Sequence, residues 1–187
     1  MKISRKTILN VLLMAFVLSF FVTPLGYHGK ILLNRIFSFS PDVIEVNEEK
    51  RITDYNWKLK DANWEFFNFE NSRDNVVFIN FWASWRLPCA AELKSIQNLY
   101  DSYKNKVDFY IITDEERLPV EAFMKENKFT FPVTYLIIGE RTPLTLLEPP
   151  SSYIIDKKGY IRVEQEGIAD WDNKTIYNLL NELTEQK

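Results

Sequence analysis

The run Val76-Val77-Phe78-Ile79-Asn80-Phe81-Trp82 constrains the fold of this chain more than any other segment. It is continuous and almost wholly β-branched or aromatic, as expected of a central strand covered on both faces. Ala83-Ser84-Trp85-Arg86-Leu87-Pro88-Cys89 follows directly, and helical spacing then appears. Leu93, Ile96, Leu99 (or Tyr100) and Tyr103 share one side, with Glu92, Lys94, Asp101 and Lys104 elsewhere. The segment reads as the end of a buried strand entering a helix, which points to an α/β fold.

The flanking elements agree. Trp57-Lys58-Leu59-Lys60 and Trp64-Glu65-Phe66-Phe67-Asn68-Phe69 read as two short strands around Asp61-Ala62-Asn63. Val107 to Thr113 reads as a second buried strand, Val120, Phe123 and Met124 mark a short helix after Pro119, and Phe131 to Ile138 is a third apolar extended run. Tyr153-Ile154-Ile155-Asp156 and Tyr160-Ile161-Arg162-Val163 flank a Lys-Lys-Gly turn, the pattern of a β-hairpin. Ile176, Leu179, Leu180 and Leu183 line a last amphipathic helix, for which Asp172 is the expected N-cap.

Composition removes several classes of function. With 187 residues, 46% hydrophobic and 15% aromatic, the chain can fill one domain and an appendage. A net charge of −3 gives no general attraction to nucleic acid. One cysteine and one histidine exclude a multi-cysteine zinc site, a His-rich metal site, a Ser-His-Asp triad and an intramolecular disulfide. No acidic cluster has the spacing of an all-carboxylate site, so neither a metal nor a cofactor is expected.

The N-terminal region reads as a membrane anchor. Thr7 to Pro24 is almost entirely apolar, interrupted mainly by Asn10 and Ser19, and Lys2, Arg5 and Lys6 precede it. A cleaved signal peptide and a buried core helix are the rival readings; no Ala-x-Ala pattern marks a cleavage site. Residues 1–6 are then a cytoplasmic tail, 7–25 the transmembrane anchor, 26–51 a juxtamembrane segment and linker, and 52–187 the folded domain. Ile31, Leu32, Leu33, Ile36, Phe37 and Phe39 can form one face of a short helix, resting either on the bilayer or on the domain. Asp42 to Lys50 is charged and poor in bulky apolar residues, as expected of a linker.

Phe81-Trp82-Ala83-Ser84-Trp85-Arg86-Leu87-Pro88-Cys89 resembles the Trp-Cys-x-Pro-Cys active site of the TlpA/ResA-like family of membrane-anchored thiol-disulfide oxidoreductases. Glu92 matches that family's acidic residue three positions after the second cysteine. Pro150, in Pro149-Pro150-Ser151-Ser152-Tyr153-Ile154-Ile155-Asp156, resembles its cis-proline. The order β-α-β-α-β-β-α, with an insertion between the second helix and the hairpin, is the thioredoxin arrangement. The resemblance therefore implies a thioredoxin-like α/β fold: a central mixed sheet flanked by helices, with an N-terminal β-hairpin and a central insertion.

The same resemblance puts Arg86 where the attacking cysteine belongs and Cys89 where the resolving one belongs. Dithiol exchange needs a thiolate that attacks and a second thiol that releases the mixed disulfide, so one cysteine cannot close the cycle. At a helix N-terminus the backbone dipole favours a thiolate and disfavours a cation, by about 0.3–1 kcal/mol. Arg86 should therefore be accommodated by solvent, by Glu92 or by an anionic partner. Cys89 should be a shielded, protonated thiol, because burial opposes the effect of the nearby cation. Peroxiredoxin-type chemistry needs a Thr ahead of its cysteine, which Ser84 and Arg86 do not supply. Asn80 stands where thioredoxin has a buried acid, and Lys94 where the family often has a proline.

Two further expectations concern binding. In the thioredoxin fold the cis-proline leaves backbone groups free to pair with an extended peptide, which places Pro150 at a strand-addition surface. Trp85 would supply an aromatic platform, Pro88 the helix start, and Arg86 a preference for acidic segments. The expected function is a membrane-anchored extracytoplasmic module that holds a polypeptide or envelope-protein partner without catalysis. The alternative is a single-cysteine thiol-disulfide oxidoreductase acting through Cys89, and a third reading is a structural role alone.

Overall fold

The computed structural model describes residues 4–22, 24–47 and 50–185. Lys2, Thr23, residues 48–49 of the linker and the last two residues lie outside them. Two helices come first, α1 (Arg5–Val22) and α2 (Pro24–Ile36). The domain follows as β1 (Lys58–Lys60), β2 (Phe66–Asn68), a 3-10 turn (Phe69–Ser72), β3 (Val77–Phe81), α3 (Leu87–Tyr103), β4 (Asp108–Thr113), α4 (Arg117–Asn127), β5 (Val133–Leu136), β6 (Ser151–Ile155), β7 (Ile161–Glu166) and α5 (Lys174–Glu185).

One seven-stranded sheet in the order β2-β1-β5-β4-β3-β6-β7 forms the centre. β3 pairs parallel with β4 and antiparallel with β6, so it is the middle strand its composition demands. Its side chains alternate between two cores, as the pleat requires. Phe78 joins Trp82, Leu93, Ile96, Trp171, Ile176 and Leu180, the side covered by α3 and α5 with Val120 of α4. Val77, Ile79 and Phe81 join Trp57, Leu59, Phe69, Tyr110 and Leu144, the side packed by Ile52, Tyr55 and Trp57 ahead of β1, the 3-10 turn and the 137–150 loop. All of β3 is buried. Each large apolar side chain there contributes about 1.5–3 kcal/mol on burial.

The fold is the thioredoxin-like mixed sheet that the sequence leads one to expect, with three adjustments. The insertion between α4 and the β6–β7 hairpin carries a strand of the sheet: the centre of the run Phe131–Ile138 is β5, parallel to β4, and the loop at 137–150 follows it. The N-cap of α5 is Asn173, whose Oδ1 accepts from Ile176 N–H at 3.1 Å. Asp172 instead accepts from Asn98 at 2.6 Å and from the Tyr177 hydroxyl at 3.1 Å, tying α5 to α3. Third, the linker is held. Ile44 N–H donates to Arg162 O at 2.8 Å, Lys50 pairs with Glu164 at 2.5 Å, and Asp170 N–H donates to Phe39 O at 3.0 Å. Phe39, Ile44, Lys50 and Arg51 thereby lie along the free edge of β7 and the segment after it.

α2 lies against α3, and α1 against α2. Among the described residues no helix is long and apolar enough to cross a membrane. α1 has 18 residues, a length of about 27 Å at 1.5 Å per residue, just under the roughly 30 Å of a hydrocarbon core.

Candidate functional site

The site forms where β3 ends and α3 begins. Trp82 N–H donates to Ile112 O at 2.9 Å, which keeps the chain paired to β4 one residue past the end of β3. Ser84 then turns the chain: its N–H and hydroxyl both donate to the Glu115 carboxylate, at 2.5 and 2.7 Å. Arg86 is the N-cap of α3, in extended backbone, and its side chain makes no capping bond to the helix. Pro88 occupies the first turn, where its missing N–H costs nothing. α3 runs unbroken through Lys94.

The Arg86 guanidinium turns away from the helix dipole. Nη1 donates to Pro149 O, Nη2 reaches Glu148 Oε2 at 3.0 Å, and the group lies 5.3 Å from the centroid of the Trp85 ring. Of the three ways to accommodate the cation, the molecule uses none as expected. It supplies its own carboxylate and carbonyl from the 137–150 loop, while Glu92 is engaged elsewhere. Trp85 is 71% exposed, so it is a surface platform and not core.

Cys89 is fully buried, one turn into α3. Burial pushes its thiol up to about 12; the charge of Glu92 adds to this, and a backbone hydrogen bond at Ala83 and the Arg86 cation only partly oppose it. The sulfur is therefore a protonated packing group at neutral pH. Glu92 is buried as well, and its carboxyl is raised to about 8 by desolvation. Ala169 N–H at 3.1 Å, the Asn80 amide at 2.7 Å and the Trp171 side chain act in the opposite sense. Asn80 also donates to Ser152 Oγ at 2.9 Å, while its own Oδ1 is buried without a hydrogen-bond partner among the described residues. Glu92 is thus a buried acid on α3, while Asn80 holds the β3 position where thioredoxin has its acid.

The Pro149-Pro150 peptide is cis, and Pro150 is buried. The loop does not present the free backbone expected of a strand-addition surface. Neither proline has an N–H. The carbonyl of Pro149 accepts from Arg86 and that of Pro150 from Gly167 N–H at 2.9 Å. What lies beside the loop is apolar: a cavity of about 160 Å³ lined by Phe81, Trp82, Ile112, Leu136, Leu146, Leu147 and Pro149, with Asp114 and Thr113 at its edge. Trp85, Arg86 and the cis-proline loop are brought together; Cys89 and Glu92 lie behind them, out of solvent. Glu148, Pro149 and Glu115 were not legible as site residues, because each acts through a loop whose path no periodicity records. A proline before the cis-proline is the one signal that could have marked the missing donor.

Comparison with known proteins fits this geometry. The family model described as the AhpC/TSA family matches residues 52–164. The thioredoxin-like protein YneN of Bacillus subtilis is 26% identical over 73% of this chain and 80% of its own length. The thiol-disulfide oxidoreductase ResA of Oceanobacillus iheyensis is 36% identical over 59% of this chain, which spans 58% of that relative. Among solved structures, a secreted thiol-disulfide isomerase from Corynebacterium glutamicum superposes with a TM-score of 0.61 at 18% identity, covering 80% of this chain and 98% of that one. A putative thiol:disulfide interchange protein DsbE from Chlorobium tepidum superposes with a TM-score of 0.60 at 18% identity, over 75% and 99%. These likenesses establish the thioredoxin fold. The match over the domain shows the family: this chain belongs to the AhpC/TSA family, and it is similar to ResA-type thiol-disulfide oxidoreductases while carrying a single cysteine.

Proposed function

We propose that this protein is a membrane-anchored, extracytoplasmic thioredoxin-like module that binds a polypeptide partner and does not perform dithiol exchange. One observation carries the reading: Arg86 fills the position of the attacking thiol and is fixed to Pro149 and Glu148, while Cys89 is sealed in the core. No thiol stands at the surface, and the one sulfur of Cys89 cannot reach a substrate without local unfolding.

Binding would rest on side chains. With no main-chain donor at Pro149 or Pro150, an extended segment gains little by strand pairing there. The apolar cavity beside Pro149 and the exposed Trp85, Leu146 and Ile138 can bury a bulky apolar residue of a partner. Glu148 already offsets the Arg86 charge, Asp114 lines the cavity, and Asp114 and Glu116 are both exposed. A neutral or basic segment fits this rim better than the acidic one that Arg86 alone would suggest.

The anchor reading is supported by α1, whose Ile8, Leu9, Leu12, Leu13, Phe16 and Leu18 are all exposed, with Arg5 and Lys6 at its start. Such a surface is stable only in lipid or against another apolar surface. A helix a little shorter than the hydrocarbon core is accommodated by local thinning.

The test is site-specific photo-crosslinking in intact cells, with the probe replacing Trp85 or, as the control at the far end of the domain, Lys104. Defined polypeptide adducts from position 85 alone are expected. Equal patterns from both positions would place partner binding elsewhere, and insulin reduction by the purified protein would return it to the enzymes.

A further inference from the structure

α2 faces the wrong way for a helix that merely packs on a water-soluble domain. Such a helix buries its apolar stripe and offers its polar side to solvent. Here Gly26 is buried and Lys30 and Asn34 are half-buried, while Leu32, Leu33 and Ile36 are 55%, 47% and 63% exposed. Those three lie within one arc of about 100° on the helical wheel. Phe37 and Phe39, at 67% and 75%, continue the apolar surface past the helix end. The helix is nevertheless fastened to the domain: Arg35 and Ser38 border a cleft with Ala91, Glu92 and Ser95 of α3, and Asp170 N–H holds Phe39 O.

Charge says what covers this face. The first 41 residues carry five Lys and Arg and no carboxylate; the first acidic residue is Asp42. The whole acidic excess of a chain of net charge −3 therefore sits in the folded domain. A cationic helix with an apolar face, continuing from a mainly apolar one, is complementary to the headgroup layer of an anionic bilayer, whereas a second copy of this domain would bring further negative charge.

We propose that the outward face of α2 lies in the interfacial layer of an anionic membrane, so that α2 clamps the domain to the lipid surface by one side and to α3 by the other. This rests on the anchor reading given above. Its consequence is orientation. The α2–α3 cleft begins one turn or so beyond Arg86, so the Trp85–Arg86 surface is held near the membrane plane, and its partner reaches it from a membrane-proximal segment.

The full-length chain, in a Cys89→Ala background, would carry one new cysteine at a time by Ile36→Cys, Leu12→Cys or Asn71→Cys. Each is labelled with an environment-sensitive fluorophore and reconstituted in phosphatidylcholine/phosphatidylglycerol vesicles containing shallow or deep nitroxide lipids. The expected result is a blue-shifted Ile36 probe quenched by the shallow nitroxide, a Leu12 probe quenched by the deep one, and an Asn71 probe quenched by neither. The Ile36 quenching should weaken in pure phosphatidylcholine and at high salt. A Leu12 probe quenched in depth beside an Ile36 probe that behaves like Asn71 would leave the anchor standing and overturn the clamp. A Leu12 probe that is not quenched, with protein that does not float with vesicles, would overturn both. Self-quenching of the Ile36 probe that rises with protein density and is insensitive to nitroxide would assign the face to a second copy and overturn the proposal.

Discussion

Arg86 does two jobs whose energies differ. Its contact with Glu148 pairs a partly exposed cation with a carboxylate that is 83% exposed, an arrangement worth a few tenths of a kcal/mol and screened by salt. Its bond to Pro149 O satisfies a carbonyl in a half-buried loop, worth about 1 kcal/mol. Arg86→Ala should therefore lower unfolding stability by about 1 kcal/mol in urea titration, against less than about 0.5 kcal/mol for Glu148→Ala. A larger loss with the glutamate variant would show that the ion pair, not the carbonyl, anchors the loop. Glu92 gives the pH signature. Its carboxyl is raised from 4.5 to about 8, so the folded state holds the proton more tightly than the unfolded one. The stabilising contribution of the protonated form is complete below about 4.5 and is lost as pH rises through about 8. Relative to wild type, Glu92→Gln should gain stability steadily across that window, as read from denaturation midpoints. A difference independent of pH would mean the carboxylate stays ionised in the core. For Cys89, iodoacetamide should label the native protein only on denaturation. Rapid native labelling would contradict a thiol with a pKa near 12.

The elements carrying the site depend on what stands at their ends. α3 begins on an uncapped arginine, and its family counterpart begins on a thiolate; the backbone itself is the same turn of strand into helix. Arg86→Cys would place a sulfur at that start, one turn from Cys89 on the same helix face. It should form an internal disulfide under mild oxidant and confer insulin reductase activity, and a variant that folds but keeps two free thiols would show that the turn does not hold position 86 as the family does. α5 begins on Asn173, so Asn173→Ala should cost about 1 kcal/mol by thermal unfolding. How far the sequence showed all this depends on the range of the forces involved. Period and composition found every strand and helix of the domain, because burial on one or two faces writes itself along the chain. The resemblance to the TlpA/ResA-like motif, and not period or composition, pointed to Trp85, Arg86, Cys89, Glu92 and Pro150. Period and composition missed the Asn173 cap by one residue, since Asp172 and Asn173 are both good caps and only the Asn98 and Tyr177 contacts decide between them. They could not supply the Arg86–Pro149 contact, which spans 63 residues of chain.

At the scale of the molecule, the sheet ends on β7, an edge that in isolation would expose a row of unpaired backbone groups. Described residues between α2 and β1 lie along it. Phe39 bridges Ala169, Ile44 N–H bonds Arg162 O, and Arg51 bridges Tyr160. Composition makes this stretch a linker, and a boundary at Ile52 follows from it; the hydrogen bonds make it part of the domain's outer layer. Val43, Val46 and their charged neighbours are too few to signal burial, and the strap contributes backbone rather than side chains, so no sequence pattern records it. Two truncations separate the views. A chain beginning at Phe39 keeps the strap and loses α1 and α2, while one beginning at Ile52 loses all three. If the strap protects the edge, the shorter chain should unfold at a lower temperature and form larger species by light scattering, and the longer one should stay monomeric. The gap should narrow when a charge is placed on the uncovered strand at a half-buried position, as in Gln165→Lys. Equal melting and equal monodispersity of the two truncations would make residues 39–51 a tether after all, and would return the edge of β7 to solvent.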